Sequence, residues 1–213
     1  MNRLVCVLAT LACGSLAAQA PSATPAPQTA PPPARPASTN RWSADPAHSA
    51  VAFRVRHLGI TWVNGSFGEW TADLNFDPAH AEAASVTAKI QSATITTGND
   101  RRDTDLRQNY LAVDSFPEIR FVSKRVEKVA PDKLRISGDL TLRGVTRPVV
   151  LDADIGGVIA SPMGRRAAFS ATTTIKRQDY GITLNRFMEG AQIVGDDVRI
   201  TIDIEARESA TSP

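Results

Sequence analysis

Beyond residue 13 the chain contains no cysteine; its two, Cys6 and Cys13, both lie near the start. That excludes disulfides and thiolate metal sites from any domain that follows. Of the three histidines, His48, His57 and His80, no two stand as His-x-x-x-His, whereas a zinc site wants three or four converging ligands at characteristic spacings. His48 and His57 read as opposite ends of one strand, roughly 30 Å apart, so no metal is expected. An excess of one charge is also missing: 24 Lys and Arg stand against 22 Asp and Glu, a net +2. Nothing in that balance points to nucleic acid. No Gly-x-Ser-x-Gly occurs, and no Ser or Thr stands beside a suitable base and orienting acid. Gly144-Val145 and Gly156-Gly157 read as turn glycines, because no helix follows them to cradle a phosphate. The acids at Asp196-Asp197 and around Asp103 and Asp105 read as caps or solvated charge. A non-enzymatic protein with no required cofactor is the expectation.

Long apolar runs are scarce as well. Residues 4–12 are the apolar stretch of an N-terminal segment that is too short to span a bilayer. Residues 1–20, with Arg3 before that run and small residues after it, read as a secretory signal, cleaved after Ala17, Ala18 or Ala20. Its removal takes away Arg3 and no acid, so the net charge falls from +2 to +1. Thr10-Leu11-Ala12-Cys13 loosely resembles a lipoprotein box, but Thr10 stands where Leu is wanted, and anchoring through Cys13 is not expected. A periplasmic or secreted protein follows, with no transmembrane segment in the mature chain. Residues 21–39 carry seven prolines in nineteen positions. That composition forbids helix and sheet pairing and predicts an extended, disordered linker. The folded domain is expected over residues 41–207.

What the chain does have is alternation. Seven stretches switch between apolar and polar residues with period two, which is the pattern of strands with one dry and one wet face. The cleanest begins at Val198 and runs Val-Arg-Ile-Thr-Ile-Asp-Ile-Glu-Ala to Ala206. Others place Val51, Phe53, Val55 and His57 on one face; Val86, Ala88 and Ile90; Ile119 and Phe121; Leu134, Ile136, Gly138, Leu140 and Leu142; Val149, Leu151, Ala153 and Ile155; and Phe169, Ala171, Thr173 and Ile175. Residues 61–76, with Gly65 and Gly68, read as a longer, kinked or bulged strand. Many such strands at hairpin spacing predict an all-β fold that hides one face against itself, a barrel or sandwich. One segment breaks the period. Residues 99–111 have acids early and Leu106 and Tyr110 on one side, a short amphipathic helix. A second helical turn is expected at residues 177–181.

The ordered set of Trp42, Asp45, His48-Ser49, Phe53 and His57, Gly65-Ser66-Phe67, Thr97, Arg102-Asp103, Leu106, Phe116-Pro117-Glu118-Ile119-Arg120-Phe121, residues 138–146 and residues 177–181 resembles the YceI-like family of exported bacterial lipid-binding proteins. The resemblance covers roughly residues 41–206. It departs at Tyr180, where the family usually has Phe, and in the proline-rich leader. The resemblance implies an extended antiparallel lipocalin-like β-barrel with a short helix at one end, holding a polyisoprenoid, quinone-like or similar long-chain amphiphile in its lumen.

Under that resemblance the lumen candidates are Val51, Phe53, Val55, Phe67, Ile119, Phe121, Leu140, Leu151 and Phe169; each could equally be plain barrel core. The mouth candidates are His57, Arg102 and Asp103. A guanidinium offers five donors to a carbonyl or diphosphate head group, and the competing role for Arg102 is an ion pair with Asp103, Asp105 or the Arg177–Asp179 pair. Period two alone leaves open whether the interior is hollow or solid. Two other readings stay open with it: a solid-core envelope adaptor on a tether, and an enzyme acting on a hydrophobic substrate through His57, Arg102 or Asp103. A homodimer is an expectation wherever an incompletely closed barrel leaves an edge strand open.

Overall fold

The computed structural model describes residues 41–209 other than 163, 184–186 and 189–190. The expected signal and linker lie outside the described residues. The strands are β1 (Arg41–Ala44), β2 (Ala50–His57), β3 (Thr61–Phe67), β4 (Trp70–Asn75), β5 (Ser85–Gln91), β6 (Ile95–Thr96), β7 (Glu118–Ala130), β8 (Lys133–Leu142), β9 (Val145–Ser161), β10 (Gly164–Lys176), β11 (Phe187–Met188), β12 (Ala191–Gln192) and β13 (Val194–Glu208). Antiparallel pairing runs β1–β4–β5–β7–β8–β9–β10–β13 and then returns from β13 to β1, which closes an eight-stranded barrel. Closure removes the exposed strand edges that invite aggregation. It also removes most of the open edge on which the dimer expectation rested.

Two of the barrel's walls are broken strands. β1 and β2 both lie along β13, separated by a 3₁₀ turn (Pro46–His48) whose cap, Asp45, accepts from the Ala47 amide at 3.2 Å. Opposite them, β3 and β4 form one kinked strand in nearly continuous register, Val51 to Phe67 and Trp42 to Leu74. The kink falls at Gly68, as the sequence suggested. The interruption also moves His48 out of the strand and into the turn, where its Nδ1 lies 3.0 Å from Asp45 Oδ2.

Two features of the wall were not expected. Gly156-Gly157 is not a turn: β9 continues to Ser161, and the glycines form a bulge where the pairing with β10 shifts at Ala168/Phe169. Gly157 has φ +113°, and a Cβ on Gly156 would stand 3.0 Å from that of Ala168. Farther along, β9 and β10 cease to pair beyond Asp152 and Thr172 and splay apart. A 3₁₀ turn (Arg177–Tyr180) crosses that splay. Arg147 Nε donates to the Asp179 carbonyl at 3.2 Å, and Arg143 Nη1 donates to the Gly181 carbonyl at 2.6 Å. Gly144 does occupy a turn, with φ +73° beside Arg143 at +51°, between β8 and β9.

Among the described residues the one α-helix, α1 (Asp100–Asp105), is capped by the Asn99 side chain accepting from the Arg102 amide at 3.0 Å. It continues as a π turn (Leu106–Leu111) ending at Ala112, which takes a left-handed φ of +50°. Leu106 and Tyr110 pack against the core from this segment, on the side their spacing predicted. The apolar faces of β2, β5, β8, β10 and β13 point inward as the period-two reading expects, while β7 changes phase at the register shift between Ser123 and Arg125 and β9 at its glycine bulge.

Candidate functional site

The barrel is not filled. One end is packed solid by Trp42, Phe76, Ala81, Ala84, Val126, Leu134, Ala167 and Ala206, with Ala206 wholly inaccessible. The Trp42 indole donates to the Phe76 carbonyl at 2.9 Å, and the Phe76 ring meets Phe169 edge-on at 4.9 Å between centroids. Above this floor lies a cavity of about 540 Å³, lined almost wholly by aliphatic and aromatic side chains. Its other end is ringed by Arg56, His57, Arg102, Asp105, Leu106 and Tyr110, below the helix α1.

All nine lumen candidates, Val51, Phe53, Val55, Phe67, Ile119, Phe121, Leu140, Leu151 and Phe169, line this cavity. They come from β2, β3, β7, β8, β9 and β10, each at an inward position of its strand. The rings do not fill the centre. Phe53 pairs across the strands with Gly65, and a Cβ built there would lie 2.3 Å from Phe53 Cζ. Phe121 treats Gly138 in the same way, at 2.6 Å. Each phenylalanine is thus laid along the wall in a notch that only glycine leaves, and Phe67 leans on Phe53 at 5.7 Å, tilted by 44°. The small inward residues Ala72, Ala88, Ala153 and Ala171 complete the lining.

At the mouth the three candidates part company. His57 and Arg102 line the cavity; Asp103 does not. Asp103 is buried beneath the helix, where it accepts from the Thr97 amide at 2.9 Å and from the hydroxyls of Thr97 and Thr96 at 2.5 and 3.0 Å. Burial alone would raise its pKa, but the bonds from Thr97 and Thr96 and the charge of Arg107 outweigh it and hold the carboxyl below its ordinary value. Asp103 is a clamp that fastens α1 to β6. Arg102 takes none of the expected carboxylates: its Nε and Nη2 donate to Thr97 Oγ1 and the Thr97 carbonyl at 2.6 and 3.0 Å. Its Nη1 has no partner among the described residues, so one face of the guanidinium remains available beside the mouth.

Arg177 was not singled out for the lumen, yet it is buried in the cavity's upper wall. Its Nε, Nη1 and Nη2 donate to the carbonyls of Gly195, Ile182 and Val194 at 3.0, 2.5 and 3.1 Å. The signal available for it was position: an arginine two residues past Ile175, the last inward residue of β10, and so in the inward phase, before a turn that ends in a left-handed glycine, Gly181 at φ +70°. The fork geometry of arginine suits it to gather three carbonyls where the strand pairing stops.

The described residues contain one group with metal-ligand geometry, Asp45, His48 and Glu205, whose ligand atoms lie within 4.8 Å of one another. Two arginines already claim its carboxylates. Arg207 donates to Asp45, and Arg166 Nη1 lies 2.5 Å from Glu205 Oε1 and 3.5 Å from Asp45 Oδ2. Hydrogen bonds from His48 and then Arg207 hold the Asp45 carboxyl well below the usual range. Cations at that distance oppose a metal ion, and the cluster ties β1, β10 and β13 together at the closed end.

A protein-family model described as the YceI-like domain matches residues 42–206. Protein YceI of Salmonella arizonae (strain ATCC BAA-731 / CDC346-86 / RSK2980) is 39% identical over 138 residues, spanning 64% of this chain and 72% of that one. Among solved structures, the Campylobacter jejuni YceI protein superposes with a TM-score of 0.64 at 33% identity, covering 73% of this chain and 90% of that one. A polyisoprenoid binding domain from Saccharophagus degradans, implicated in plant cell wall breakdown, shares the fold, with a TM-score of 0.61 at 15% identity over 79% of this chain and 98% of that one. With the model spanning the whole barrel, from Trp42 in β1 to Ala206 in β13, the chain belongs to the YceI-like family.

Proposed function

We propose that this protein binds a long-chain isoprenoid, quinone-like or similar amphiphile in its lumen and acts as a carrier or store for it outside the cytoplasm. The single observation that carries the proposal is the apolar cavity of about 540 Å³, closed at the Trp42–Phe76 end and open below α1. That volume falls within the roughly 300–1,000 Å³ of ordinary ligand sites. Each methylene of a guest chain buried against this apolar wall contributes about 0.8 kcal/mol with no directional contact needed. Head-group choice falls to the mouth, where Arg102 Nη1 and His57 are placed to meet a carbonyl or phosphate oxygen. The polyisoprenoid binding domain of the same fold in Saccharophagus degradans supports this ligand class, and the secretory reading of residues 1–20 supports the location. The site is read as binding without turnover, a reading that the polyisoprenoid binding domain of the same fold supports.

Native mass spectrometry of the purified protein tests the proposal, with thermal unfolding in the presence of added polyprenol or ubiquinone. A co-purifying mass of several hundred daltons that organic solvent extracts, and a melting temperature that rises with added ligand, are the expected results. A protein that is ligand-free as isolated and indifferent to both additives would overturn it.

A further inference from the structure

The outer face of the β2–β3 hairpin carries a cationic group beside the cavity mouth, which shares only Arg56 with the lining of the lumen. Trp62, half-buried on β3, is surrounded by three guanidinium groups: Arg56 at 4.2 Å from the ring centroid, Arg54 at 4.7 Å and Arg199 at 4.8 Å. Arg56 stands directly opposite Trp62 in the ladder, and Arg54 directly opposite Arg199. None of the three forms an ion pair among the described residues. The outward acids of β13 on either side of Arg199 are Asp197, in register with Lys176, and Asp203, in register with Ser170 and Ala50; neither forms an ion pair with the three arginines. Like charges directly opposite one another in a sheet repel, and the indole's π face offsets only part of that repulsion. Three arginines gathered on one tryptophan are arranged for an anion that comes from outside.

The tip of the same hairpin is apolar. Leu58 and Gly59 turn the chain with φ values of +53° and +73°, and the next residue, Ile60, is 74% exposed. Arg56 Nη1 donates to the Ile60 carbonyl at 3.1 Å and fixes the tip to the cationic cluster. An exposed aliphatic tip, a tryptophan set behind it and a belt of arginines is the order in which a membrane–water boundary presents tails, interface and phosphates. The hairpin also borders the cavity mouth: His57 and Val63, next in sequence to Arg56 and Trp62, line it.

We propose that the β2–β3 hairpin docks on an anionic bilayer surface, with Ile60 inserted, Trp62 at the interface and Arg54, Arg56 and Arg199 on lipid phosphates, so that the cavity mouth faces the membrane. The proposal goes beyond the ligand reading, because docking through these side chains does not depend on what the lumen holds. The patch is small and its contacts are mostly charged, so the attachment is reversible and sensitive to salt.

Vesicle co-sedimentation tests it, using phosphatidylcholine vesicles with and without phosphatidylglycerol, and no isoprenoid in either. The protein is expected to partition onto the anionic vesicles, to leave them at high salt and to ignore the neutral ones. Tryptophan emission should shift to the blue on binding and be quenched by brominated acyl chains; Trp42 and Trp70 are buried, so Trp62 supplies that response. The triple variant R54Q/R56Q/R199Q should bind the anionic vesicles about a hundredfold more weakly, and I60D should bind weakly and lose the quenching. Both should melt cooperatively near the parent temperature, which separates lost docking from lost folding. Equal partitioning onto neutral and anionic vesicles overturns the proposal, as does a folded triple variant that binds like the parent. Tighter binding to an acidic peptide than to vesicles, without a blue shift, overturns it too. A protein that carries isoprenoid but ignores vesicles defeats the docking alone, and one that docks but carries nothing defeats the ligand reading alone.

Discussion

The ring of Phe53 lies against Gly65, its cross-strand partner, so closely that a β-carbon on the glycine would fall 2.3 Å from Phe53 Cζ and 2.7 Å from Cε1. This contact keeps the lumen open at the β2–β3 wall, because a ring with nowhere to lie must turn inward. Gly65→Ala is expected to destabilise the protein by about 1–3 kcal/mol and to lower the amount of bound chain seen in native mass spectra. Adding Phe53→Leu should recover part of both losses. Recovery stays incomplete because the Thr96 carbonyl, 2.9 Å from the same β-carbon position, does not move with the side chain. A double-mutant cycle in urea measures the coupling, and additive losses would show that the ring and the glycine are independent.

Phe121 and Gly138 look alike but should behave differently. Here the new β-carbon would meet the Val122 carbonyl at 2.5 Å as well as the ring at 2.6 Å. The obstacle is the backbone of β7, so Gly138→Ala should cost as much in the Phe121→Leu background as in the parent. Urea unfolding of the four proteins checks this, and a rescue as large as that at Gly65 would show that the strand yields.

Asp103 stabilises through its ionised form, received by three hydrogen bonds from Thr96 and Thr97. Its folded pKa lies below its unfolded one, so this contribution is complete above about pH 4 and fades as the pH falls through the folded value. Asp103→Ala leaves the Thr97 amide unanswered and should cost about 1–3 kcal/mol at pH 7, with loss of hydrogen-exchange protection confined to α1 and its π turn. Asp103→Asn keeps one acceptor oxygen and should fall between. In both variants stability should change less between pH 5 and pH 2 than in the parent; an unchanged acid slope would mean that the clamp does not titrate.

What could be read in advance follows from how locally it is encoded. The inward faces of β2, β5, β8, β10 and β13 were legible because strand geometry alternates side chains whatever the partner strand is. Val126 shows where that fails: a register shift between Ser123 and Arg125 resets the phase of β7, and no neighbouring residue announces it. The Gly156-Gly157 bulge reads as a turn in the sequence because both features ask for the same residue, and only the partner strand distinguishes them. Closure rests on the four residues of β1 binding the end of β13 across more than 160 positions of chain, a contact with no local signature. The same holds for the notches that seat Phe53 and Phe121, since a glycine becomes a notch only when register sets a ring against it. The chemistry of Asp103 and Arg102 suits both to the mouth, but the turn of α1 buries the carboxylate against Thr96 and Thr97 and leaves the guanidinium lining the cavity.

Tyr180 offers the sharpest test of packing against polarity. It is buried in the main core cluster with Leu142, Leu151 and Ile175, and its hydroxyl has no hydrogen-bond partner among the described residues. A buried hydroxyl in that position costs about 1–3 kcal/mol. Tyr180→Phe keeps the ring and removes the cost, so it should stabilise the protein by about 1 kcal/mol, a rise of about 2–4 °C in melting temperature. Burial, with the neighbouring Asp179 charge adding to it and Arg147 opposing it, pushes the phenol pKa up to about 12. The unfolded phenol ionises near pH 10 while the folded one stays neutral, so stability is lost as the pH climbs from 10 towards 12, by up to about 1.4 kcal/mol per unit. The phenylalanine variant should lose less over the same range, and the gap between the two unfolding curves should widen with pH. A Tyr180→Phe protein less stable than its parent at neutral pH would show that the hydroxyl does have a partner, and that the splay between β9 and β10 is held by it.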